Sequence, residues 1–253
     1  MRVAKVSVLA RGAVTILPDG SVNGASVLCR PCPAHRVKAE TYDFVIVGAG
    51  SAGSVLAARL SEDPDVSVLL LESGPTDRHP LVDIPLGSQF LQGTVRDWQA
   101  ETDPQENACQ EIDCSLKGRH PGSKGCCRWP LGRGLGGGSS INYMAYVRGN
   151  PGDFDDWQAK GAAGWNYSTA LKYFKRAENN EVFRFSAYHG TEGPLRVSDP
   201  RVRNPVTSAF VQACVQAGLP ENADYNGATQ EGCSRMQSTT HMGQRSGAGC
   251  LCL

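Results

Sequence analysis

Gly48, Gly50 and Gly53 stand in the run GAGSAG, directly after the apolar stretch YDFVIV. Glycines spaced Gly-x-Gly-x-x-Gly suit one kind of chemistry, the holding of a diphosphate against bare backbone. Gly48 permits a tight turn, Gly50 lets the backbone approach a pyrophosphate, and Gly53 lets a helix pack closely on a strand. Ser51 lies among them at the mouth of the expected helix, where free N–H groups and a partial positive charge gather. Glu72 ends the next apolar run, VSVLLLES, nineteen residues beyond Gly53. A carboxylate there can accept from ribose hydroxyls and repels a 2′-phosphate, which disfavours an NADP-type ligand.

Three elements must position these residues. The apolar run at 42–50 reads as a strand buried on both faces of a parallel sheet. SAGSVLAARLSED reads as a helix with Val55, Leu56 and Leu60 on its apolar stripe, and VSVLLLES as a second buried strand. Strand, glycine turn, helix and strand make a βαβ unit, which crosses over right-handed and builds a parallel sheet. The expected ligand is an adenine dinucleotide. FAD and NAD share the ADP half that such a unit reads, so both stay open at this point.

The rest of the chain is organised around further glycines and two or three helices. Residues 75–130 carry no strong period and read as loops with short helices, a stretch long enough to wrap a ligand. Helices are expected over 153–160 and 168–179, the second with Ser168 as N-cap and Leu171 and Phe174 on one stripe. GPLRVSDP reads as a strand. NPVTSAFVQACVQAGLP reads as a helix with Pro205 in its first turn and Gly218 and Pro220 ending it. The tail HMGQRSGAGCLCL shows no recognisable element.

Composition narrows the classes. The 253 residues carry 25 Lys and Arg against 25 Asp and Glu. No basic block interleaves with aromatics, which argues against nucleic acid. No window reaches the roughly 18 apolar residues of a membrane span. Ten cysteines include one C-x-x-C, Cys29 and Cys32, and the adjacent Cys126 and Cys127. With no second C-x-x-C to complete a four-ligand zinc site, ordinary thiols are expected, or one or two bridges if the protein is secreted. Residues 1–40 read as an N-terminal extension. Their first stretch is basic and free of acids until Asp19, which suits a mitochondrial leader as the alternative and fits a secretory signal less well.

The segment WPLGRGLGGGSSINYMAYVRGNPGDFDDW, from Gly132 through Asn142, resembles a signature of the glucose-methanol-choline (GMC) flavin oxidoreductases, with Tyr146, Gly149 and Asp155 at the later spacings. SEDPDVSVLLLESGP, Asp97-Trp98, TDPQ, GPLRVS and NGATQEG are similar to choline dehydrogenase-like members. The resemblance runs from about Tyr42 to about Arg245. It implies an α/β, Rossmann-like FAD-binding domain with a parallel sheet over 41–180, followed over 181–253 by the start of an α+β substrate domain.

It also implies a bipartite FAD site. The first glycine turn would hold the ADP pyrophosphate and Glu72 the ribose, while Gly136, Gly137, Gly138 and Ser139 pass along the diphosphate. Asn142, Tyr143, Met144 and Ala145 match positions lining the flavin, where an Asn amide reaches ring polar atoms; a buried Asn satisfied by backbone is the alternative. Bare backbone suits a chain lying against a flat ring, and successive N–H groups form an anion-binding nest. Arg133 either contacts phosphate or is simply solvated or ion-paired. The segment departs from the family pattern at Leu131, where many members carry Arg, and at Gly138, where many carry Ser.

The family's reaction takes hydride from an alcohol carbon while a histidine, helped by a second His or Asn, removes the hydroxyl proton. Those two residues belong to the family's C-terminal part, and His35, His79, His120, His189 and His241 match none of it. The expectation is therefore an FAD-dependent oxidoreductase of choline, a sugar or an aliphatic alcohol, with quinone or oxygen as acceptor, in an incomplete form without its catalytic pair. A non-catalytic flavin-binding or interaction product is the alternative. An NAD-linked dehydrogenase leaves residues 132–155 unexplained.

Overall fold

The computed structural model describes residues 41–112 and 124–249, and the backbone of three short strands among the first forty residues, β1 (Lys5–Val8), β2 (Thr15–Ile16) and β3 (Val22–Asn23). The remaining part of the 1–40 extension or leader, with Cys29, Cys32 and His35, lies outside the described residues, as does His120. The run FVIV forms β4 (Phe44–Val47), the glycine turn leads into α1 (Ser51–Leu60), and VLLLE forms β5 (Val68–Glu72). β5 pairs in parallel with β1 on one side and β4 on the other, with Ile46 opposite Leu70. All five residues of β5 are buried, as an unbroken apolar run in a covered parallel strand requires.

Two expectations about this unit need correction. β4 is not buried on both faces: Val47 is 74% and Phe44 43% exposed. Among the described residues it is an edge strand, with β5 on one side only. Of the apolar stripe of α1, Leu60 packs against the core, but Val55 and Leu56 are exposed while Ser54 and Ala57 are buried. Close approach decides this. A Cβ on Gly53 would overlap the Gly48 carbonyl, so the helix lies too near the turn for any but small residues on its inner face. There Ala57 packs with Ala49, Val68, Leu70 and Leu135, and the Ser54 hydroxyl donates to the Ala49 carbonyl at 3.0 Å.

The long connection holds short elements, as expected: α2 (Pro80–Asp83), a 3-10 turn (Pro85–Phe90), and the antiparallel pair β6 (Ala100–Glu101) and β7 (Arg128–Trp129). Cys109 and Cys127 form a disulfide, and Cys126 is also disulfide-bonded. α3 (Gly138–Ile141) then buries Ile141 beside Val82 and Leu91. The chain divides into two compact units, one of residues up to Val82, Leu86–Asn142 and the segment from Gly247, the other of Asp83–Pro85 and Tyr143–Ser246.

The second unit is α+β. α4 (Pro151–Ala159) starts with Pro151 after a capping box in which Asn150 and Asp153 satisfy each other's backbone N–H groups. α5 (Tyr167–Ala177) is capped by Asn166 rather than Ser168: the Asn166 side chain accepts the Thr169 N–H at 2.9 Å, and Ser168 donates to it. Phe154 meets Trp157 and Phe174 edge-on, with ring centroids 5.2 and 5.6 Å apart. β8 (Glu178–Asn180) pairs in parallel with β9 (Leu195–Val197), and α6 (Pro205–Gln216) begins at an Asn204 cap. The stretch read as elementless holds a hairpin, β10 (Thr240–His241) and β11 (Gln244–Arg245), turned by Met242 and Gly243 at φ of 51° and 82°. Positive φ at both turn residues matches the strand twist. Met at the first of them conceals the usual Asn-Gly signal.

The centre of this unit is charged. The Glu178 carboxylate, fully buried, accepts from Arg148 at 2.7 Å, His189 Nδ1 at 2.9 Å, the Gly190 N–H at 2.9 Å and Asn180 at 3.0 Å. His189 Nε2 reaches Asp224 at 3.0 Å. Burial alone raises the Glu178 carboxyl, but its hydrogen bonds and Arg148 carry it below its ordinary 4.5. Burial alone lowers His189, and the carboxylates of Glu178 and Asp224 more than reverse this, lifting it above 6.5. A raised histidine stabilises fully below its unfolded value and loses that contribution as pH rises through the folded one; a lowered carboxylate contributes above its unfolded value and loses it in acid.

Thermal unfolding followed against pH is accordingly expected to show the second unit most stable between 4.5 and 6.5, declining on both sides. His189→Gln is expected to flatten the alkaline limb. Glu178→Gln, which leaves Arg148 buried without its charge partner, is expected to cost about 3–5 kcal/mol.

Candidate functional site

The first glycine turn is built by Gly48, whose φ of +96° swings the chain from β4 into α1 while its N–H donates to the Leu71 carbonyl at 2.7 Å. Gly50 occupies the N-cap of α1, and no side chain caps the helix there. Ser51, its first residue, is exposed. The leading N–H groups of a ten-residue helix thus keep the positive end of its dipole available to an anion.

Glu72 ends β5 beneath this turn. Its Oε2 accepts the Ala49 N–H at 2.8 Å, and Oε1 accepts those of Ser73, Gly74 and Gly134 at 3.0, 2.8 and 3.0 Å. One buried carboxylate therefore joins the first glycine turn, the loop after β5 and the second glycine segment. The ribose role read from the sequence did not include this bracing.

The second segment docks directly on the first. Gly136 donates to the Ala49 carbonyl at 2.8 Å, and Leu135 to that of Pro75 at 3.0 Å. Gly137 has a φ of +51°, and a Cβ on it would stand 2.7 Å from the Gly50 Cα. Cβ atoms on Gly132 and Gly134 would likewise overlap the backbone of Gly137 and Pro75. The reading that a ligand alone keeps this run bare is thus corrected, because much of the bareness is demanded by the protein's own chain. Gly138 is different, with nothing within 4 Å of the position a Cβ would take.

Neighbouring side chains hold the segment. Asp97 accepts the N–H groups of Gly93, Gln99 and Leu131. Arg133 donates to the Ser73 carbonyl at 2.7 Å and lies 5.2 Å above the Trp98 ring. Its Nε is buried with no hydrogen-bond partner among the described residues. The Ser139 hydroxyl donates to the Gly136 carbonyl at 2.7 Å and accepts the Ala248 N–H at 2.8 Å. Residues 247–249 therefore return to the glycine segment, a contact that nothing in the tail's sequence signals.

The chain leaves the first unit at Asn142 and enters the second at Tyr143. Asn142, Tyr143 and Ala145 are exposed, whereas Met144 is buried. Met144 takes a φ of 63°, unusual for a side chain of that size, and its carbonyl accepts the Thr239 N–H at 2.8 Å. The described histidines are all engaged. His79 Nδ1 accepts the Leu81 N–H at 3.2 Å, His241 pairs with Glu181, and both nitrogens of His189 face carboxylates. No helix among the described residues is long and apolar enough to cross a membrane.

A parallel sheet, a glycine turn into an uncapped helix and an acid at the end of the second strand define a dinucleotide-binding α/β protein. More narrowly, the chain belongs to the GMC oxidoreductase family, which it matches over residues 42–251, and whose cofactor is FAD. It is 44% identical to an alcohol dehydrogenase [acceptor] of Pseudomonas putida, the alignment covering 81% of this chain and 35% of that protein. It is 41% identical to the mitochondrial choline dehydrogenase of Homo sapiens, over 97% of this chain and 39% of that one. Pyridoxine 4-oxidase from Mesorbium loti superposes with a TM-score of 0.69 at 33% identity, covering 82% and 38% of the two chains. The chain thus spans somewhat over a third of the length of these relatives.

The two central glycines of the second segment are expected to separate sharply on substitution. Gly137→Ala places a Cβ on the Gly50 backbone at a left-handed φ and is expected to lose about 1–3 kcal/mol or more. Gly138→Ala, at an open position, is expected to stay within about 0.5 kcal/mol of the parent. Denaturant unfolding of both variants measures the difference.

Proposed function

We propose that this chain holds FAD by its ADP half and forms the cofactor-binding part of an oxidoreductase acting on the CH–OH group of an alcohol. The observation that chiefly supports this is the backbone contact of Gly137 with Gly50, which joins both glycine segments at the uncapped start of α1. Diphosphate oxygens are favoured at that helix end, with Gly48, Gly50, Ser51 and Gly53 around it. Oε1 of Glu72 is filled by three N–H groups, whereas Oε2 takes one and keeps acceptor capacity for a ribose hydroxyl.

Gly136, Gly137, Gly138 and Ser139 follow the diphosphate, and the open space beside Gly138 gives it room. The unpartnered Nε–H of Arg133 fits a phosphate oxygen, since a buried donor left unsatisfied costs about 1–3 kcal/mol. Asn142, which ends the first unit, would offer its side-chain amide as a donor to the polar atoms of the flavin ring. FAD held there would supply the hydride acceptor for the alcohol carbon. His189 has both ring nitrogens engaged by the carboxylates of Glu178 and Asp224, so neither is free to take the hydroxyl proton. The relatives' names support choline or another alcohol as substrate, and the electron acceptor in this reading is oxygen or a quinone. An NAD-linked reading accounts for the first glycine turn but not for the second segment docked on it.

The full chain purified with added FAD is expected to show flavin absorbance, and mass spectrometry of the released ligand is expected to give FAD and no NAD. Gly138→Leu is expected to abolish binding with little change in melting temperature. A chain that folds but neither carries nor takes up flavin would overturn the proposal. Oxidation of an alcohol with a dye acceptor distinguishes a working enzyme from a flavin holder.

A further inference from the structure

Cys214 and Cys233 are free thiols, both half-buried, and neighbours, Cys214 lying near enough to raise the Cys233 thiol. Both belong to the second unit, far along the chain from the glycine segments. Cys214 lies in the last turns of α6, where its carbonyl accepts the Leu219 N–H at 3.1 Å. From there the chain turns back through Pro220, whose carbonyl accepts the Cys233 N–H at 2.8 Å, and Asn222, whose N–H donates to the Cys233 carbonyl at 3.0 Å. Glu221 and Cys233 form a β-bridge. Backbone hydrogen bonds thus hold Cys233 beside the turn that ends α6, within a few residues of Cys214.

We propose that Cys214 and Cys233 are a reversible redox site, an oxidisable dithiol that a small-molecule disulfide such as oxidised glutathione converts to an internal bridge. One protein thiolate attacks a glutathione sulfur, forming a mixed disulfide and releasing one glutathione thiolate. The second protein thiol loses its proton and attacks the protein sulfur of that mixed disulfide, releasing the second. Two electrons pass to the oxidant, two protons leave the protein thiols, and the only new protein bond is Cys214–Cys233. The second step is intramolecular between groups already in contact, so it outpaces attack by another glutathione.

Contact with Cys214 first, and then burial, holds the Cys233 thiol above its ordinary 9.0. The pair therefore rests as a dithiol near neutral pH and closes faster as pH rises. Closure has a consequence for the fold. Cys233 lines a cleft of about 620 Å³ with Val211, Gln212, Val215, Asn222 and Arg235, and α6 supplies one wall of it. A bridge ties the end of that wall to the segment around Cys233.

The test is the full chain, its free thiols reduced under conditions that preserve the Cys109–Cys127 bond, then treated with oxidised glutathione, blocked by alkylation and digested without reduction. The expected product is a cross-linked peptide pair containing Cys214 and Cys233, formed faster at higher pH, with the melting temperature raised by roughly 5–10 °C. Cys214→Ser and Cys233→Ser, each tested separately, are expected to leave the remaining thiol as a stable glutathione adduct and to remove the thermal shift. Independent glutathione adducts on both cysteines of the parent chain, a bridge from either one to a different cysteine, or two thiols that stay alkylatable throughout would overturn the proposal.

Discussion

The first unit depends on one carboxylate. Glu72 accepts four backbone N–H groups, from Ala49, Ser73, Gly74 and Gly134, and so draws three separate stretches of chain to a common point. Hydrogen bonds to a charged acceptor are roughly twice as strong as neutral ones. Amides left behind by its loss would stay buried without partners. The acid at the end of the second strand of a dinucleotide fold is usually discussed for what it offers the ribose. Here it assembles the backbone of both glycine segments.

That bracing explains the spacing of the glycines better than a ligand does alone. Gly132, Gly134 and Gly137 are bare because the backbone of Gly137, Pro75 and Gly50 occupies the space a Cβ would need, and Gly53 because α1 rests on the Gly48 carbonyl. The cradle is therefore formed by protein packing before any cofactor arrives, which lowers the ordering cost of binding. The second unit is organised differently, around Glu178, Arg148 and His189 in place of an apolar centre. Each unit has at its heart a buried carboxylate whose partners come from distant parts of the chain.

Much of this was legible in the residues, and what was not has physical causes. The βαβ unit, the position of the glycine turn at a helix mouth, and the helix starting at Pro205 follow from local rules of turn chemistry and periodicity. The burial of β4 and the inner face of α1 could not be read that way, because apolar pattern reports what a residue prefers and not whether anything covers it. Val47, Val55 and Leu56 are apolar and exposed. Asn166 and Ser168 are both good caps, and only three-dimensional register chooses between them. The return of Ala248 to Ser139 and the meeting of Cys214 with Cys233 are long-range contacts between ordinary residues, which no local signal marks.

Glu72 assembles the two glycine segments through backbone amides without help from a ligand. Amide hydrogen exchange measured on the ligand-free chain tests it most directly, residue by residue. The Ala49, Gly74 and Gly134 amides are expected to be protected together, and Glu72→Gln is expected to speed exchange at all three while leaving amides of the second unit unchanged. Fast exchange at Gly134 in the parent chain, or protection there that survives Glu72→Gln, would contradict it.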